Sequence, residues 1–203
     1  MAPPIRTPRT AWIEAGLHSL SDGGGPDAVR VEVLAKSLGV TRGGFYHNFH
    51  DREDMLARLL DLWDTSCQFL PSDPPGASLA EAAAWLERAI GRLIEEDGYD
   101  YRFDLAVREW ARSDQRAAWA VSRADRQRLA KLEAFFRTLG YDKEEAPIRA
   151  RVFYFHQIGY YAIGVKQSVA ERRKSAELYI DILCGHDVMD RARAARQEED
   201  AAA

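Results

Sequence analysis

Cysteine is scarce in this sequence. Its 203 residues include only Cys67 and Cys184, which lie far apart, and no CxxC pair occurs. Paired cysteines at short spacing are what disulfide frameworks and zinc sites require, so neither is predicted. Two isolated thiols fit a reducing compartment, and we expect a cytoplasmic protein.

Long apolar runs are also missing. None approaches the roughly 18–20 residues that a membrane-spanning helix needs, and the first ten residues, MAPPIRTPRT, lack the apolar core of a secretory signal. Hydrophobic residues make up 46% and charged residues 30% of the chain. This balance is typical of a globular protein and not of a disordered chain. We therefore expect no membrane partner.

The sequence has no excess of positive charge. Its formal net charge is −4, and residues 1–60 contain seven Lys or Arg and seven Asp or Glu. Bulk charge therefore does not indicate nucleic-acid binding. If the protein binds DNA, a local patch must do it.

Catalytic and cofactor motifs are absent as well. The glycines of 23–25 precede Pro26 and follow no strand, so they are no phosphate loop. Neither GxSxG nor HExxH occurs, and His47 and His50 lack further metal ligands nearby. The carboxylates of LIEEDGYDY (93–101) fit a solvated helix end. We predict no enzyme activity, no cofactor and no metal; an all-helical enzyme or a protein–protein adaptor remains the alternative.

The hydrophobic pattern indicates an all-α fold with about nine helices and no alternating strand pattern. Start and stop signals support these helices: Thr7-Pro8 at the first, Gly39 closing the second, Thr41 capping the third, Asp51 capping the fourth, and a capping box of Ser168 and Glu171 at the ninth. LPSDPPGAS (70–78) is the strongest linker signal. The charged, alanine-rich tail RARAARQEEDAAA (191–203) is expected to be a helical extension or a frayed end.

The second and third predicted helices are joined only by Gly39, Val40 and Thr41. Two short helices joined by a tight glycine-containing turn form a helix-turn-helix, whose second helix can enter the major groove of DNA. A small core would fix their angle; it consists of Leu34, Ala35, Leu38, Val40, Phe45 and Phe49. That arrangement leaves a polar outward set of Arg42, Gly43, Gly44, Tyr46, His47 and Asn48.

These outward side chains suit a duplex. Arg42 can bond guanine and Asn48 adenine, each through two hydrogen bonds. Tyr46 and Thr41 can bond phosphate oxygens. A cation in the first turn of a helix opposes the helix dipole, so Arg52 makes more sense if it reaches a phosphate; Arg6 and Arg9 offer two more backbone contacts. The alternative is that the glycine turn joins ordinary core helices and the aromatics merely pack.

The run VRVEVLAKSLGVTRGGFYHNFHDREDML (29–56) resembles the helix-turn-helix of the TetR family of transcriptional regulators. The matching features are LAKSLGV, a small helix cap, FYHNF as an aromatic-Tyr-x-x-aromatic signature, and the acid-basic-acid start of the next helix. The resemblance implies a three-helix DNA-binding domain at 1–52 and a helical ligand-binding and dimerisation domain at 53–203.

The resemblance also assigns roles. It implies phosphate contacts for Tyr46 and Arg52, and positions facing bases or backbone for Arg42, Gly43, Gly44, His47 and Glu32. Arg52 stands where Lys is usual, and Gly44 where a small polar residue is usual, so one contact is lost. Glu32 would repel phosphates unless it accepts a hydrogen bond from a cytosine amine.

The eighth predicted helix, about 142–167, suggests a homodimer. Its stretch VFYFHQIGYYAIGVK (152–166) is apolar nearly all round, which indicates burial on more than one side, and Gly159 and Gly164 permit close approach of another helix. Two half-sites on DNA require a dimer, and the resemblance implies an interface of the eighth and ninth helices from both subunits. Otherwise the eighth helix is the central core helix of a monomer.

A small-molecule effector is the remaining expectation. Aromatic and polar side chains mix on predicted inward faces, which favours a flat or apolar ligand. The candidates are Trp63, Tyr99, Phe103, Trp110, Tyr154, His156 and Tyr160, although a lone histidine such as His156 is more often a core residue. Together these features predict a ligand-responsive regulator, a repressor that binds a pseudo-palindromic operator as a dimer and is released by its effector.

Overall fold

The computed structural model describes residues 7–96 and 99–202, and within these ranges all regular structure is helical. The all-α prediction is confirmed. None of these helices is long and apolar enough to span a membrane. The helices are α1 (Arg9–Ser19), α2 (Gly25–Ala28), α3 (Val31–Ser37), α4 (Gly43–Tyr46), α5 (Arg52–Ser66), α6 (Leu79–Glu95), α7 (Tyr101–Trp110), α8 (Gln115–Thr138), α9 (Glu145–Ile163), α10 (Val169–Cys184) and α11 (His186–Ala202).

The chain packs as two compact units. The first comprises the described residues of Met1–Cys67 with Asp100–Ser122, and the second comprises Gln68–Tyr99 with Arg123–Ala203. The first unit therefore contains α1–α5 and α7. The predicted domain boundary between residues 52 and 53 rests on the sequence motif and not on how the helices pack. It stays a prediction.

Two helix starts in the first unit differ from the sequence prediction. The N-cap of α1 is Pro8 and that of α4 is Arg42, and neither side chain makes a capping hydrogen bond. Thr7 and Thr41 therefore do not cap these helices. Asp51 does cap α5, because its carboxylate accepts from the amide of Asp54 at 2.8 Å.

A buried polar network joins α5 to α7 in the first unit. The Asp104 carboxylate is fully buried. It accepts from the indole nitrogen of Trp63 at 2.9 Å and from Nε of Arg108 at 2.9 Å. A buried carboxylate is tolerated only when it is paired and hydrogen-bonded, so these donors are what allow Asp104 to stay inside.

The predicted linker 70–78 lacks regular structure but packs within the second unit. Its carbonyls are bonded by side chains, since the Trp85 indole donates to Asp73 and the Lys131 ammonium to Pro71 and Ser72. Prolines keep this segment from forming a helix. A capping box of Ser78 and Glu81 then starts α6.

The last three helices, α9, α10 and α11, partly differ from the sequence prediction. The helix expected over 142–167 ends at Ile163, because Gly164 adopts a left-handed conformation with φ +73°. The expected capping box of Ser168 and Glu171 starts α10. The tail is more than a frayed end: α11 packs on α6, with Met189 and Ala192 buried.

Candidate nucleic-acid interface

The helix-turn-helix is present as α3, a tight turn and α4. Gly39 supplies the turn with φ +67°, and the amide of Val40 donates back to the carbonyl of Ala35 at 2.9 Å. The chain continues beyond α4 in helical turns, since the Phe45 carbonyl accepts from Asn48 and Phe49. The second helix of the motif is thus shorter than its sequence pattern predicts.

The inward face of the motif is aromatic. Phe45 and Phe49 are buried, as predicted, and their rings stack at 5.1 Å. Trp12 of α1 is fully buried against them and meets Phe45 edge-on at 5.4 Å. Sequence reasoning missed Trp12; its one available signal was a large aromatic residue within the predicted first helix. This aromatic core fixes how α4 is presented.

The outward face of α4 is polar and open to solvent. Thr41, Arg42, Gly43, Tyr46 and His47 are all exposed, and 59% of Tyr46 is accessible. The structure therefore brings five of the predicted DNA-contacting positions onto one surface. Hydroxyl, imidazole and guanidinium groups on this surface can all bond phosphates or base edges.

Glu32 lies beside this surface and pairs with Arg42. Their closest oxygen and nitrogen are 3.0 Å apart, and about two thirds of each side chain is exposed. A backbone hydrogen bond and then the Arg42 guanidinium lower the pKa of Glu32. An exposed pair of this kind contributes at most about 1 kcal/mol, so Arg42 can leave it at little cost.

Asn48 and Gly44 are only partly exposed. The amide nitrogen of Asn48 donates to the carbonyl of Gly44 at 3.0 Å and reaches that of Thr7 at 3.5 Å. A Cβ added at Gly44 would lie 3.5 Å from the Trp12 ring, an ordinary contact. In this arrangement the amide of Asn48 braces α4 against the start of α1, so reading of adenine by Asn48 stays a prediction.

Arg52 is tied to the loop before α3. Its Nε donates to the carbonyl of Val29 at 2.8 Å, and a terminal nitrogen donates to that of Pro26. This internal role explains a cation in the first turn of α5, which sequence reasoning attributed to a phosphate alone. One third of the side chain remains exposed. The Arg9 guanidinium lies 4.9 Å from the Phe49 ring, and Arg6 lies outside the described residues.

The predicted effector-binding residues fall into both units. Trp63, Phe103 and Trp110 are buried in the first unit. Tyr99 and Tyr154 are buried in the second, where each packs against the ring of Phe69. These five side chains are buried, three in the core of the first unit and two in the core of the second.

His156 and Tyr160 do share a pocket, within the second unit. It lies between α6, α9 and α10, and its other walls include Leu93, Arg172 and Tyr179. The ring of His156 is 5.0 Å from that of Tyr179, and burial lowers the pKa of this histidine. The pocket therefore offers an imidazole, a phenol and apolar walls.

An apolar face runs along α9 and α10. On α9 its members recur every three or four residues, which places them on one side of the helix, and Gly159 falls in the same row. No atom lies within 4 Å of a Cβ placed at Gly159. The exposed side chains of this face are Ile148, Val152, Phe155 and Ile163 of α9 with Leu178, Tyr179 and Ile182 of α10.

The chain is similar to known proteins in sequence and in fold. The model of the family "Bacterial regulatory proteins, tetR family" matches residues 13–59. A transcriptional regulator from Rhodococcus sp. Rha1 has a similar fold, with 20% identity and a TM-score of 0.53 over 95% of this chain and 97% of that one. BioQ, solved with its double-stranded DNA operator, aligns with 17% identity and a TM-score of 0.42 over 91% and 99% of the two chains. No curated protein matches the sequence.

The family match spans α1 to the middle of α5, and it therefore includes the whole aromatic core and the exposed polar face of α4. The resemblance seen in LAKSLGV and FYHNF is confirmed by this match. Residues 13–59 are thus similar to the N-terminal domain of the tetR family of bacterial regulatory proteins.

Proposed function

We propose that this chain is a ligand-responsive transcriptional regulator that binds operator DNA as a dimer. The observation that carries the proposal is a tetR-family N-terminal domain whose α4 presents exposed polar side chains over a rigid aromatic core. The role requires no catalysis. Its target is the bacterial genome, so the proposed place of action is the cytoplasm.

The exposed face of α4 supplies the proposed DNA contacts. Tyr46 and Thr41 would donate to phosphate oxygens, and His47 would lie beside them. Arg42 would leave Glu32 and make two hydrogen bonds to guanine, while Glu32 is freed to accept from a cytosine amine. Gly43 has no side chain, which lets the backbone approach the duplex closely.

At three further positions the proposed DNA contact is limited by a missing side chain or by a hydrogen bond within the protein. Gly44 adds backbone approach but no side-chain contact. Asn48 would read adenine only after giving up its bond to the Gly44 carbonyl. Arg52 would reach a phosphate with the exposed third of its side chain while Nε keeps its bond to Val29. We expect Arg52 to act chiefly by holding the loop before α3.

A dimer would place two α4 helices about 34–36 Å apart, one turn of B-DNA. The proposed interface is the apolar face of α9 and α10, which are the eighth and ninth helices of the sequence prediction. Apolar patches of this kind on a protein surface mark interaction sites. Gly159 leaves room in this face for the partner's helix.

The proposed effector site is the pocket at His156 and Tyr160. Its cavity volume is about 60 Å³, well below that of a ligand pocket, so the proposal requires the pocket to widen around an apolar or aromatic molecule that the phenol would orient. A ligand that binds one conformation of the dimer better than another shifts the population toward it. Repression would be relieved if the favoured conformation no longer fits two adjacent major grooves.

Selection from a random duplex pool tests the proposal. The purified protein should enrich an inverted repeat, and affinity for that repeat should fall steeply with salt because phosphate contacts release counterions. The double variant Arg42→Ala/Tyr46→Phe should bind the repeat at least tenfold more weakly. Arg58→Ala, which removes an exposed arginine of α5, is the matched control and should bind normally.

Two outcomes would overturn the proposal. One is the absence of any enriched sequence together with the absence of any duplex affinity, which is the behaviour expected of an adaptor or an enzyme. The other is unchanged affinity in the double variant, with circular dichroism showing that both proteins are folded.

A further inference from the structure

We propose that a cleft in the first unit, between the 20–27 segment and α7, binds a small amphipathic organic anion. The inference concerns a site separate from the pocket at His156, and it does not depend on the proposed DNA binding. It follows from the volume of the cleft, an unpartnered hydroxyl in one wall and an uncompensated cation on the rim.

The cleft is large enough for a small molecule. It encloses about 550 Å³, which lies within the usual range of ligand pockets. One wall is the segment 20–27, and the other is one face of α7 and the turn after it, running from Arg102 to Ser113. At 1.5 Å per helical residue this face is roughly 16 Å long, so the cleft suits an elongated ligand.

Glycine keeps the first wall open. Gly23 and Gly25 line the cleft and have φ values of +86° and +58°, and no atom lies within 4 Å of a Cβ placed at either position. The facing side chains Leu105 and Ala106 are half-buried, so their apolar surface is accessible from the cleft. The body of a ligand would therefore rest on apolar side chains against a wall of bare backbone.

An unpartnered hydroxyl lies in the same wall. Oγ of Ser21 is buried and has no hydrogen-bond partner within the described part of the chain, and Ser21 lines the cleft. Leaving a buried polar group unpaired costs about 1–3 kcal/mol. Oγ is closed to solvent in this structure, so a polar group of a bound molecule recovers that cost once the Ser21 side chain turns toward the cleft.

Among the charged residues that line the cleft, Arg102 is the one that has no ion-pair partner in the described part of the chain. Two carboxylates line the cleft, and each has an arginine within 4 Å: Glu109 pairs with Arg112 at 3.7 Å and Asp27 with Arg52 at 3.9 Å. Arg102 is exposed and forms no ion pair with a described residue; its guanidinium lies over the Tyr101 ring.

An acid group on the ligand would supply the missing partner for Arg102. A carboxylate, sulfonate or phosphate at one end of an apolar body fits this arrangement. The pocket at His156 differs in this respect, because its Arg172 already pairs with Glu96 at 3.0 Å. The structure thus favours an anion at the cleft and a less polar molecule at the pocket.

Titration with anilinonaphthalene sulfonate tests the site, because this aromatic sulfonate fluoresces when it leaves water and has the required chemistry. Wild-type protein should show saturable binding at the cleft. Ala106→Trp should fill the cleft and weaken this binding at least tenfold, and Arg102→Gln should weaken it by a similar factor. Arg116→Gln is the matched control: it removes an exposed arginine of the same unit that pairs with Glu53 and Asp114 and does not line the cleft, and it should bind within twofold of wild type.

A block of the second pocket separates the two sites. Ser175→Trp narrows the pocket at His156 and should leave the cleft titration unchanged. If Ala106→Trp loses its near-ultraviolet circular dichroism, Ala106→Leu replaces it with the same expectation. The proposal is overturned if the cleft variants bind the probe as wild type does, or if only Ser175→Trp removes saturable binding.

Discussion

The two compact units differ most in what they leave exposed. Each contains two successive aromatic residues of which the first is buried and the second exposed, Phe45 and Tyr46 in the first unit, and Tyr154 and Phe155 in the second. The outward ring has a hydroxyl in the first case and none in the second. The same device therefore presents a hydrogen-bonding surface in one unit and an apolar surface in the other.

This difference indicates what each surface meets. A hydroxyl beside Arg42 and His47 can replace its hydration with bonds to phosphates, which stay partly hydrated when bound. Phe155 gains free energy only by leaving water, so its row on α9 and α10 calls for a close-packed protein partner. The difference therefore supports the proposed DNA contact in the first unit and the proposed self-association in the second.

The largest expected effect is on the core of the first unit. Trp12→Ala removes a fully buried indole and its edge contact with Phe45. Removal of a buried Trp costs about 3–5 kcal/mol, and α4 loses the core that orients it. Denaturant unfolding should show this loss of stability, and DNA affinity should disappear while light scattering still reports a dimer.

Trp12→Phe is the matched control. The indole nitrogen of Trp12 is buried and has no hydrogen-bond partner among residues 7–96 and 99–202, so phenylalanine removes no hydrogen bond to these residues and keeps a ring in the core. We expect a clearly smaller loss of stability than in Trp12→Ala. If Trp12→Ala dissociates the dimer at the same denaturant concentration at which DNA binding is lost, the two units unfold together and the division of roles fails.

Local signals predict part of this molecule well. Asp51 as a cap, the capping box at Ser168, the stop at Gly39 and the buried pair of Phe45 and Phe49 all follow from residues within one or two turns. Each depends on a hydrogen bond or a helical face that the sequence specifies directly. Because these signals are local, the fold class and the family resemblance could be predicted from the sequence alone.

Long-range contacts account for what the sequence could not predict. The bonds of Arg52 to Val29 and Pro26 cross more than twenty residues, and nothing near Arg52 announces them. Trp12 reaches Phe45 from another helix, and the 186–202 tail forms a packed helix only because α6 covers it. The separation of the predicted effector residues into two units has the same cause, since each helix face lies in one or the other core.

The second prediction concerns the apolar face of the second unit. Phe155 is 62% exposed, and Phe155→Glu would place a charge inside the proposed dimer interface. Losses of about 2–4 kcal/mol are typical when a central interface residue is removed, so the dimer should dissociate at least thirtyfold more readily. Gly159→Leu should act in the same way by holding the helices apart, and light scattering over a range of concentrations measures both.

Trp119→Glu controls for the loss of any exposed aromatic ring. Trp119 is 68% exposed and lies outside α9 and α10, so this variant should remain dimeric. Gly164 is a poorer test than Gly159, because its positive φ would strain any side chain. If Phe155→Glu and Gly159→Leu both remain dimeric, the interface lies elsewhere. The apolar face of α9 and α10 would then not be a self-association surface.

The smallest expected effect concerns two exposed histidines, His50 in the first unit and His186 in the second. Hydrogen bonds that the imidazoles donate to nearby aspartates raise the pKa of both, to Asp51 from His50 and to Asp181 from His186. A raised pKa means that the folded protein holds the proton more tightly than the unfolded chain. The stabilisation is therefore complete below the ordinary pKa of about 6.5 and is lost as the pH rises through the folded value.

Glutamine variants at the two positions should differ in what they change. His186→Gln should lower the free energy of unfolding slightly at about pH 6 and not at about pH 9, with no effect on DNA affinity. His50→Gln should have a similar small effect on stability, and it should also weaken the rise in DNA affinity on acidification, because His50 lies at the start of α5 beside the polar face of α4. Equal pH profiles of DNA binding in the two variants would mean that the charge of His50 does not reach the duplex.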